Sequence, residues 1–527
     1  MSPANATPNP MAAPAASDAC YLALKARDAR FDGRFFTGVT STGIYCRPVC
    51  RVRTPRRENC QFFALAAQAE LAGFRPCLHC RPELAPAATG DAAVPWSTQD
   101  ASLILAQQAA KLLDEPALWN GGADGGTPSM ADVAARLGVS ERHLRRIFET
   151  HWGVSPLQYL QTRRLLMAKR LLTDTQLPVA QVAALSGYAS VRRFNASFVE
   201  HYRLQPRQLR QQREADGAAH VAEPSEAIVL KASYRPPYDV AAMLGFFATR
   251  QIASVEVVDP DRLTLARTLA VPHGTRTLVG WVRAQFVPDR CVVALHISPS
   301  LGDALPAVLA RLRALLDLDA DPLAINAALQ ADFPGQDGLR VPGCLDGFEL
   351  GVRAILGQQI TVKAARTLGE RLVERYGTDL ATPVDGLRRL FPTPQALLQA
   401  SGEELGQMGI VRQRQRAIQA LAQAVLDGLH LQPGSDIPQT LAALQALPGI
   451  GPWTAQYIAM RALRWPDAFV AGDVALHNAL GVRAAANPQR AAEEASQRWK
   501  PWRSYAVLRA WASLGATPTD SKPLSNQ

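Results

Sequence analysis

The sequence predicts a multidomain, mainly α-helical chain: a small cysteine-bearing α/β domain, an all-α tandem helix-turn-helix domain, a small α/β subdomain, and an all-α helix-hairpin-helix domain. Three observations predict this order. Six of the eight cysteines lie between Cys20 and Cys80. Short apolar-periodic helices separated by glycine turns occur near residues 130–160 and again near 179–209, the one internal repeat. Beyond them, β-branched runs give way from Leu323 to Leu514 to helical periodicity punctuated by Pro and Gly. At 527 residues the chain exceeds the roughly 250–300 that one hydrophobic core supports, so several domains are required.

Charge is partitioned along the chain. Residues 1–213 hold 26 Lys and Arg against 16 Asp and Glu, whereas residues 214–527 hold 30 of each, so the net +10 sits entirely in the first part. A locally basic module implies a polyanionic partner, nucleic acid before membrane. The uncharged stretch Ile437–Met460 is broken by Pro438, Pro448, Gly449, Gly451 and Pro452, so no membrane span is expected. Residues 1–17 read as a disordered tail, because Met1–Ala16 has neither basic residues nor a continuous apolar core of the kind an export signal needs. Without an export signal the compartment expected is the reducing cytoplasm, where clustered cysteines bind metal rather than pair as disulfides.

The first domain is expected over residues 18–84. Cys46-Arg-Pro-Val-Cys50 and Cys77-Leu-His-Cys80 are two close cysteine pairs separated by a small domain's loop, the spacing with which four thiolates close a tetrahedral zinc site. Spacing alone leaves a purely structural zinc and a reactive one both open. The flanking Arg47, Arg51, Arg53, Arg56 and Arg57 place cations suited to phosphate contact beside the first pair. Phe36-Thr-Gly-Val-Thr-Ser-Thr-Gly-Ile-Tyr-Cys46-Arg-Pro-Val-Cys50, with Cys77-Leu-His-Cys80-Arg-Pro-Glu, resembles the N-terminal domain of the Ada methylation sensors. That resemblance implies one Zn²⁺ held by Cys46, Cys50, Cys77 and Cys80, with Cys46 accepting a methyl group from a DNA phosphotriester and Arg47 among the DNA contacts. Cys20 and Cys60 lack a second close partner and read as ordinary thiols.

After a Pro/Ala-rich linker, residues 97–213 form the second domain, with a helix at Ala101–Leu113 and a Gly-rich insertion at Asn120–Pro128. Met130–Phe148 reads as helix, Gly138 turn and a second helix capped by Ser140, with Leu144, Ile147 and Phe148 inward and Arg142, His143, Arg145 and Arg146 outward. Val179–Ser186, a turn at Gly187-Tyr188 and Ser190 capping Val191–His201 repeat the logic, presenting Arg192, Arg193 and Asn195. The arrangement resembles the AraC-type DNA-binding domain, with Gln158–Leu172 connecting the units. It implies two recognition helices in successive major grooves of promoter DNA, and RNA polymerase as a further partner.

A polar linker over 214–228 precedes the α/β subdomain, residues 229–320, with β-branched runs at Ile252–Val258 and Cys291–Ile297 and a helix at Leu305–Leu316. The last domain spans 321–516, followed by a tail, 517–527. In Leu447-Pro-Gly-Ile-Gly451-Pro-Trp453-Thr-Ala-Gln-Tyr457, Pro448, Gly449 and Gly451 make a tight hairpin between helices; amides at the next helix start can hold a phosphate without reading sequence. With Gly472-Asp473 some twenty residues on, this resembles the helix-hairpin-helix DNA glycosylases. Tyr234–Phe246, Leu339–Glu349, Val352–Gln358 and Arg498–Ala506 narrow the resemblance to the AlkA class of 3-methyladenine DNA glycosylases.

That resemblance makes Asp473 the catalytic carboxylate and Trp453, Tyr457, Trp511 and Phe246 the pocket for a flipped, cationic base. Gly449, Gly451 and Thr454 become backbone contacts to duplex DNA, with a monovalent cation at the hairpin carbonyls. An alkylated purine leaves without strong acid help, so the carboxylate's work is to stabilise the oxocarbenium-like sugar or orient water. Trp453 stands where strand-cleaving relatives carry lysine, so no Schiff-base lyase step is expected. Gln359 occupies the position of the family's leucine wedge, a departure that puts a polar group where a stack is to be filled. Neither Cys291 nor Cys344 lies in a Pro-Cys-His-Arg context, so no guanine-O6 repair is predicted. The function implied is a monofunctional glycosylase fused to a methylation-responsive activator; the alternative is a regulator whose glycosylase half only clamps DNA.

Overall fold

The computed structural model describes residues 14–87, 98–116, 119, 129–215 and 227–514. Most of the expected N-terminal tail, the whole of the expected tail 517–527, residues 88–97 and 216–226 of the two linker regions and the Gly-rich insertion 120–128 lie outside the described residues. Two compact units result: Met1–Asp321 with Thr378–Leu390, and Pro322–Gly377 with Phe391–Gln527.

The first unit opens with helix Pro14–Ala26 and a four-stranded sheet in the spatial order Cys60–Phe63, Phe36–Val39, Ile44–Cys46, Arg75–Pro76. The last pairing is parallel and the others antiparallel. Phe36 meets Tyr45 edge-on at 5.7 Å and Phe63 meets Phe74 at 5.6 Å, packing with Ala66 and Ala69 of helix Ala66–Leu71. Cys20 and Cys60 pack with Ala23, Leu24, Phe35 and Phe62. Burial pushes both thiols up, which makes them inert core residues.

Helices Met130–Arg136 and Glu141–Trp152 form the first helix-turn-helix, and Val179–Leu185 and Val191–Tyr202 the second. Ser140 Oγ accepts the His143 N–H and Ser190 Oγ the Arg193 N–H, each at 3.3 Å, so both second helices start on a serine cap. Gly138 and Gly187 turn the chain at φ +67° and +80°. Leu144, Ile147, Phe148, Phe194 and Phe198 are buried. The connecting helix, Pro156–Asp174, is longer at both ends than the Gln158–Leu172 read from periodicity, because Ser155 and Gln158 form a capping box and Pro156 suits its first turn.

The α/β subdomain is an antiparallel five-stranded sheet in the order Ile228–Ser233, Val292–Ile297, Arg276–Val287, Thr264–His273, Glu256–Asp259. Only the end of the run Ile252–Val258 is strand. Ser254 is left-handed at φ +74°, so Ile252 and Val255 fill the core from a turn. The helical reading of 323–514 is interrupted at Thr378–Leu390, which joins this subdomain. Leu387 packs against Ala266 and Trp281, and the Thr268 hydroxyl donates to the Arg389 carbonyl at 2.7 Å.

The second unit is helical. Helix Gly347–Leu356 runs through its middle, with Leu350, Val352, Ile355 and Leu356 packed among Leu421 and Ile418 of helix Arg412–Leu426 and Ile458 of helix Pro452–Arg461. That buried helix packs against helix Pro452–Arg461, which carries Trp453 and Tyr457.

Candidate functional site

Asp473 caps helix Val474–Ala479, its Oδ1 accepting the Leu476 N–H at 2.7 Å. Trp511 Nε1 donates to the same oxygen at 3.0 Å and Trp453 Nε1 to Oδ2 at 2.9 Å. Three N–H groups from three helices therefore fix one half-buried carboxylate, and Oδ2, with one of these donors, retains lone-pair capacity. Trp453 and Tyr457 stack with ring centroids 5.2 Å apart and an 8° interplanar angle, and Tyr457 lies 6.5 Å from Trp511. Four residues singled out from sequence thus converge: a carboxylate edged by indole N–H groups beside a flat aromatic wall. Phe246 lies in helix Val240–Arg250 of the first unit, with the Arg250 guanidinium 3.9 Å from its ring centroid.

The hairpin joins helix Ile437–Gln445 to helix Pro452–Arg461. Gly449 is left-handed at φ +79°, and a Cβ there would sit 2.9 Å from the Ala417 Cβ, so glycine is needed on both counts. Gly451 is the exposed N-cap of the next helix. Thr454, expected to face DNA, is instead 2% exposed: its hydroxyl accepts from Gln358 Nε2 at 3.0 Å, because its place in the first turn points the side chain into the unit. Gln359 is exposed and left-handed at φ +55°.

In the first unit, strand Ile44–Cys46 and the turn after strand Arg75–Pro76 bring the Sγ atoms of Cys46, Cys50, Cys77 and Cys80 within 4.8 Å of one another. Tetrahedral thiolate ligation at about 2.3 Å places sulfurs about 3.8 Å apart, so the donor set fits zinc. Arg47 departs from the expectation of a phosphate contact. It is 5% exposed, paired with buried Asp32 (Nε to Oδ1, 2.8 Å), and it donates to the Cys80 carbonyl at 3.0 Å and the Ser233 hydroxyl at 2.9 Å. Asp32 pulls the guanidinium inward; Arg51, Arg53 and Arg56 stay exposed. Arg142, Arg145, Arg146, Arg192 and Arg193 are exposed on the second helices of the two helix-turn-helix units, with His143 half-buried and its Nδ1 3.1 Å from Arg146.

Two features escaped the sequence. Arg461, 7% exposed, donates to the Tyr457 hydroxyl at 2.6 Å and to the Pro342 and Gly343 carbonyls, which holds the aromatic wall; its signal was the i,i+4 spacing from Tyr457. Arg81, Glu83, Lys169 and Asp174 form a buried ionic cluster, with Lys169 and Arg81 on Glu83 at 2.5 and 2.9 Å and Arg81 on Asp174 at 2.5 Å. A lysine on the apolar stripe of Leu165, Leu166 and Leu172 was its only signal.

Four family models match successive parts of the chain. The family model for the metal binding domain of Ada matches residues 19–83, and a helix-turn-helix domain matches 133–212. The AlkA N-terminal domain matches 229–346, and the HhH-GPD superfamily base excision DNA repair protein model matches 352–504. DNA-3-methyladenine glycosylase 2 of Escherichia coli is 39% identical over 55% of this chain and 99% of its own length. The bifunctional transcriptional activator/DNA repair enzyme Ada of the same organism is 36% identical over 29% of this chain and 37% of its own. A probable bifunctional transcriptional activator/DNA repair enzyme AlkA of Mycobacterium tuberculosis is 36% identical over 94% of this chain and 96% of that protein. Similarity of that extent places the chain in the family of bifunctional transcriptional activator/DNA repair enzymes that join an Ada-type metal-binding half to an AlkA-type glycosylase half.

Proposed function

We propose that Asp473 is the catalytic carboxylate of a monofunctional glycosylase that hydrolyses the N-glycosidic bond of alkylated bases such as 3-methyladenine in duplex DNA. The observation that carries this is the carboxylate fixed by Trp453 and Trp511 beside the Trp453–Tyr457 stack. A cationic purine gains from a face-on aromatic wall, and as its bond to the sugar lengthens, positive charge grows on C1′ where a placed anion stabilises it. Oδ2 is the oxygen with capacity to spare, so it faces the sugar or the incoming water. Gly449 and Gly451 offer backbone to the DNA strand in this reading, and Gln359 enters the stack the flipped base leaves. A monovalent cation held by hairpin carbonyls belongs to the same reading.

The activator half takes its signal at Cys46. Cys46, Cys50, Cys77 and Cys80 would hold a zinc ion, which would keep their sulfurs deprotonated at neutral pH. The Cys46 sulfur bonds to the methyl carbon of a phosphotriester as the carbon–oxygen bond breaks, and the electron pair leaves on the phosphate oxygen. The acceptor cluster loses one negative charge, repulsion from the DNA backbone falls, and Arg142, His143, Arg145, Arg146, Arg192 and Arg193 hold promoter DNA for RNA polymerase. A cytoplasmic location belongs to the same reading. Among the described residues no helix is long and apolar enough to cross a membrane.

Release of free 3-methyladenine from methylated duplex DNA by wild type and Asp473→Asn tests the first assignment. Release by wild type alone supports it; equal release by both overturns it. Release by neither, with DNA binding intact, favours a DNA clamp. Mass spectrometry after incubation with methylphosphotriester DNA tests the second, with one added methyl on Cys46 expected and an unmodified zinc-loaded protein against it.

A further inference from the structure

We infer that Gln358 is a positioning residue that locks the exposed Gln359 loop to the hairpin helix carrying Trp453, so that entry of the loop into DNA and placement of the Asp473 carboxylate occur in one frame. The inference rests on the glycosylase reading above and extends it to a residue outside the pocket. Gln358 lies just past the end of helix Gly347–Leu356. Its Nε2 donates to the Gly449 carbonyl at 2.9 Å and to the Thr454 hydroxyl at 3.0 Å, and its own carbonyl accepts from Arg414 Nη2. One residue therefore ties together the loop, the hairpin and helix Arg412–Leu426.

The path onward is short. Thr454 is the covalent neighbour of Trp453, and the Trp453 indole N–H holds Asp473 Oδ2 at 2.9 Å. On the loop side, Gln359 is held left-handed at φ +55°, a conformation costly for a residue with a Cβ and kept only where neighbouring bonds impose it. The bonds made by Gln358 anchor the backbone immediately before Gln359. Gly449, the other end, lies close against helix Arg412–Leu426: a methyl group there would be 2.9 Å from the Ala417 Cβ. The carboxamide thus bridges a loop that must penetrate DNA and a hairpin packed against helix Arg412–Leu426, and catalysis loses rate when such placement slackens by an ångström.

Single-turnover excision from methylated duplex DNA, affinity for undamaged duplex and melting temperature are measured for wild type, Gln358→Met, Gln359→Ala and the double variant. Methionine keeps the length and loses the amide. The expected result is a loss of about tenfold in excision rate for Gln358→Met, from two neutral hydrogen bonds. Duplex affinity should stay within about twofold. The double variant should be no slower than the slower single, because Gln358 acts through the loop. Rates that multiply in the double variant, or a wild-type rate in Gln358→Met, overturn the inference. Should Gln358→Met not fold, Thr454→Val removes the other end of the same bond and takes its place, with the same two outcomes. A wild type that releases no base overturns the glycosylase reading itself, a distinct result.

Discussion

Replacing each tryptophan that touches Asp473 by phenylalanine separates the anchoring of the carboxylate from the aromatic wall. Both substitutions keep a ring and remove an N–H, but the two losses are not equivalent. After Trp511→Phe, Oδ1 still accepts the Leu476 N–H at 2.7 Å; after Trp453→Phe, Oδ2 loses the indole that sets it at 2.9 Å. A hydrogen bond to a charged group contributes about 1.5–3 kcal/mol, which corresponds to roughly 10- to 150-fold in rate if it acts in the transition state. Trp511→Phe belongs near the lower figure because a second donor remains. Trp453→Phe belongs near the upper, with a further loss from the smaller ring against Tyr457, stacked at 5.2 Å. The assay is single-turnover release of methylated base at saturating enzyme, with melting temperature as control. Folded variants that both excise within threefold of wild type, or a Trp511→Phe clearly slower than Trp453→Phe, would refute the reasoning.

Three further outcomes follow from the same contacts. Burial pushes the Glu83 carboxyl up, but Lys169 and Arg81 outweigh it and hold it at about 2, against an ordinary 4.5. A depressed carboxyl contributes stability that is present above the unfolded value and lost as pH falls from 4.5 toward 2. Urea midpoints should therefore show wild type losing about 3 kcal/mol more than Glu83→Gln over that window. Arg47→Ala should leave the salt dependence of DNA binding unchanged and cost about 3–5 kcal/mol, since it strands buried Asp32, whereas Arg145→Ala should lower the salt slope by about one and leave stability alone. Gly449→Ala, strained by its φ and blocked by Ala417, should cost at least about 1–3 kcal/mol in denaturant titration and weaken duplex binding.

Much of this site was legible because its determinants are local. Ser140 and Ser190 cap the helices they precede, and the hairpin is written in Pro448, Gly449 and Gly451, each acting on its own few residues. The four cysteines were legible for a different reason: zinc ligation restricts spacing tightly enough that two pairs define a site before any fold is known. What could not be read depends on partners distant in sequence. Arg47 sits in a basic run and looks like its neighbours; only Asp32, fifteen residues away, and Ser233, 186 residues away, turn it inward. Thr454 follows the same rule, its hydroxyl claimed by a residue 96 positions earlier. The strand run at Ile252–Val258 failed because one left-handed residue, Ser254, outweighs the β preference of its neighbours.

The inward turn of Arg47 also bears on why the two halves share a chain. Arg47 follows the cluster residue Cys46 directly, and its guanidinium reaches Ser233 at the end of the first strand of the α/β subdomain. Two residues further on, Arg235 is fully buried, and its guanidinium donates to the Asp32 carbonyl at 2.8 Å and the Ala87 carbonyl at 2.6 Å, both from the activator half. Arg170 of the connecting helix donates to the Lys231 carbonyl in the same strand. Buried guanidinium groups are stable only where acceptors surround them, so each of these residues makes the folding of one half depend on the other. Domains joined merely by a tether would keep such charges in solvent. Here Asp32 serves Arg47 with its carboxylate and Arg235 with its carbonyl, and the metal-binding domain and the α/β subdomain accordingly lie in one compact unit.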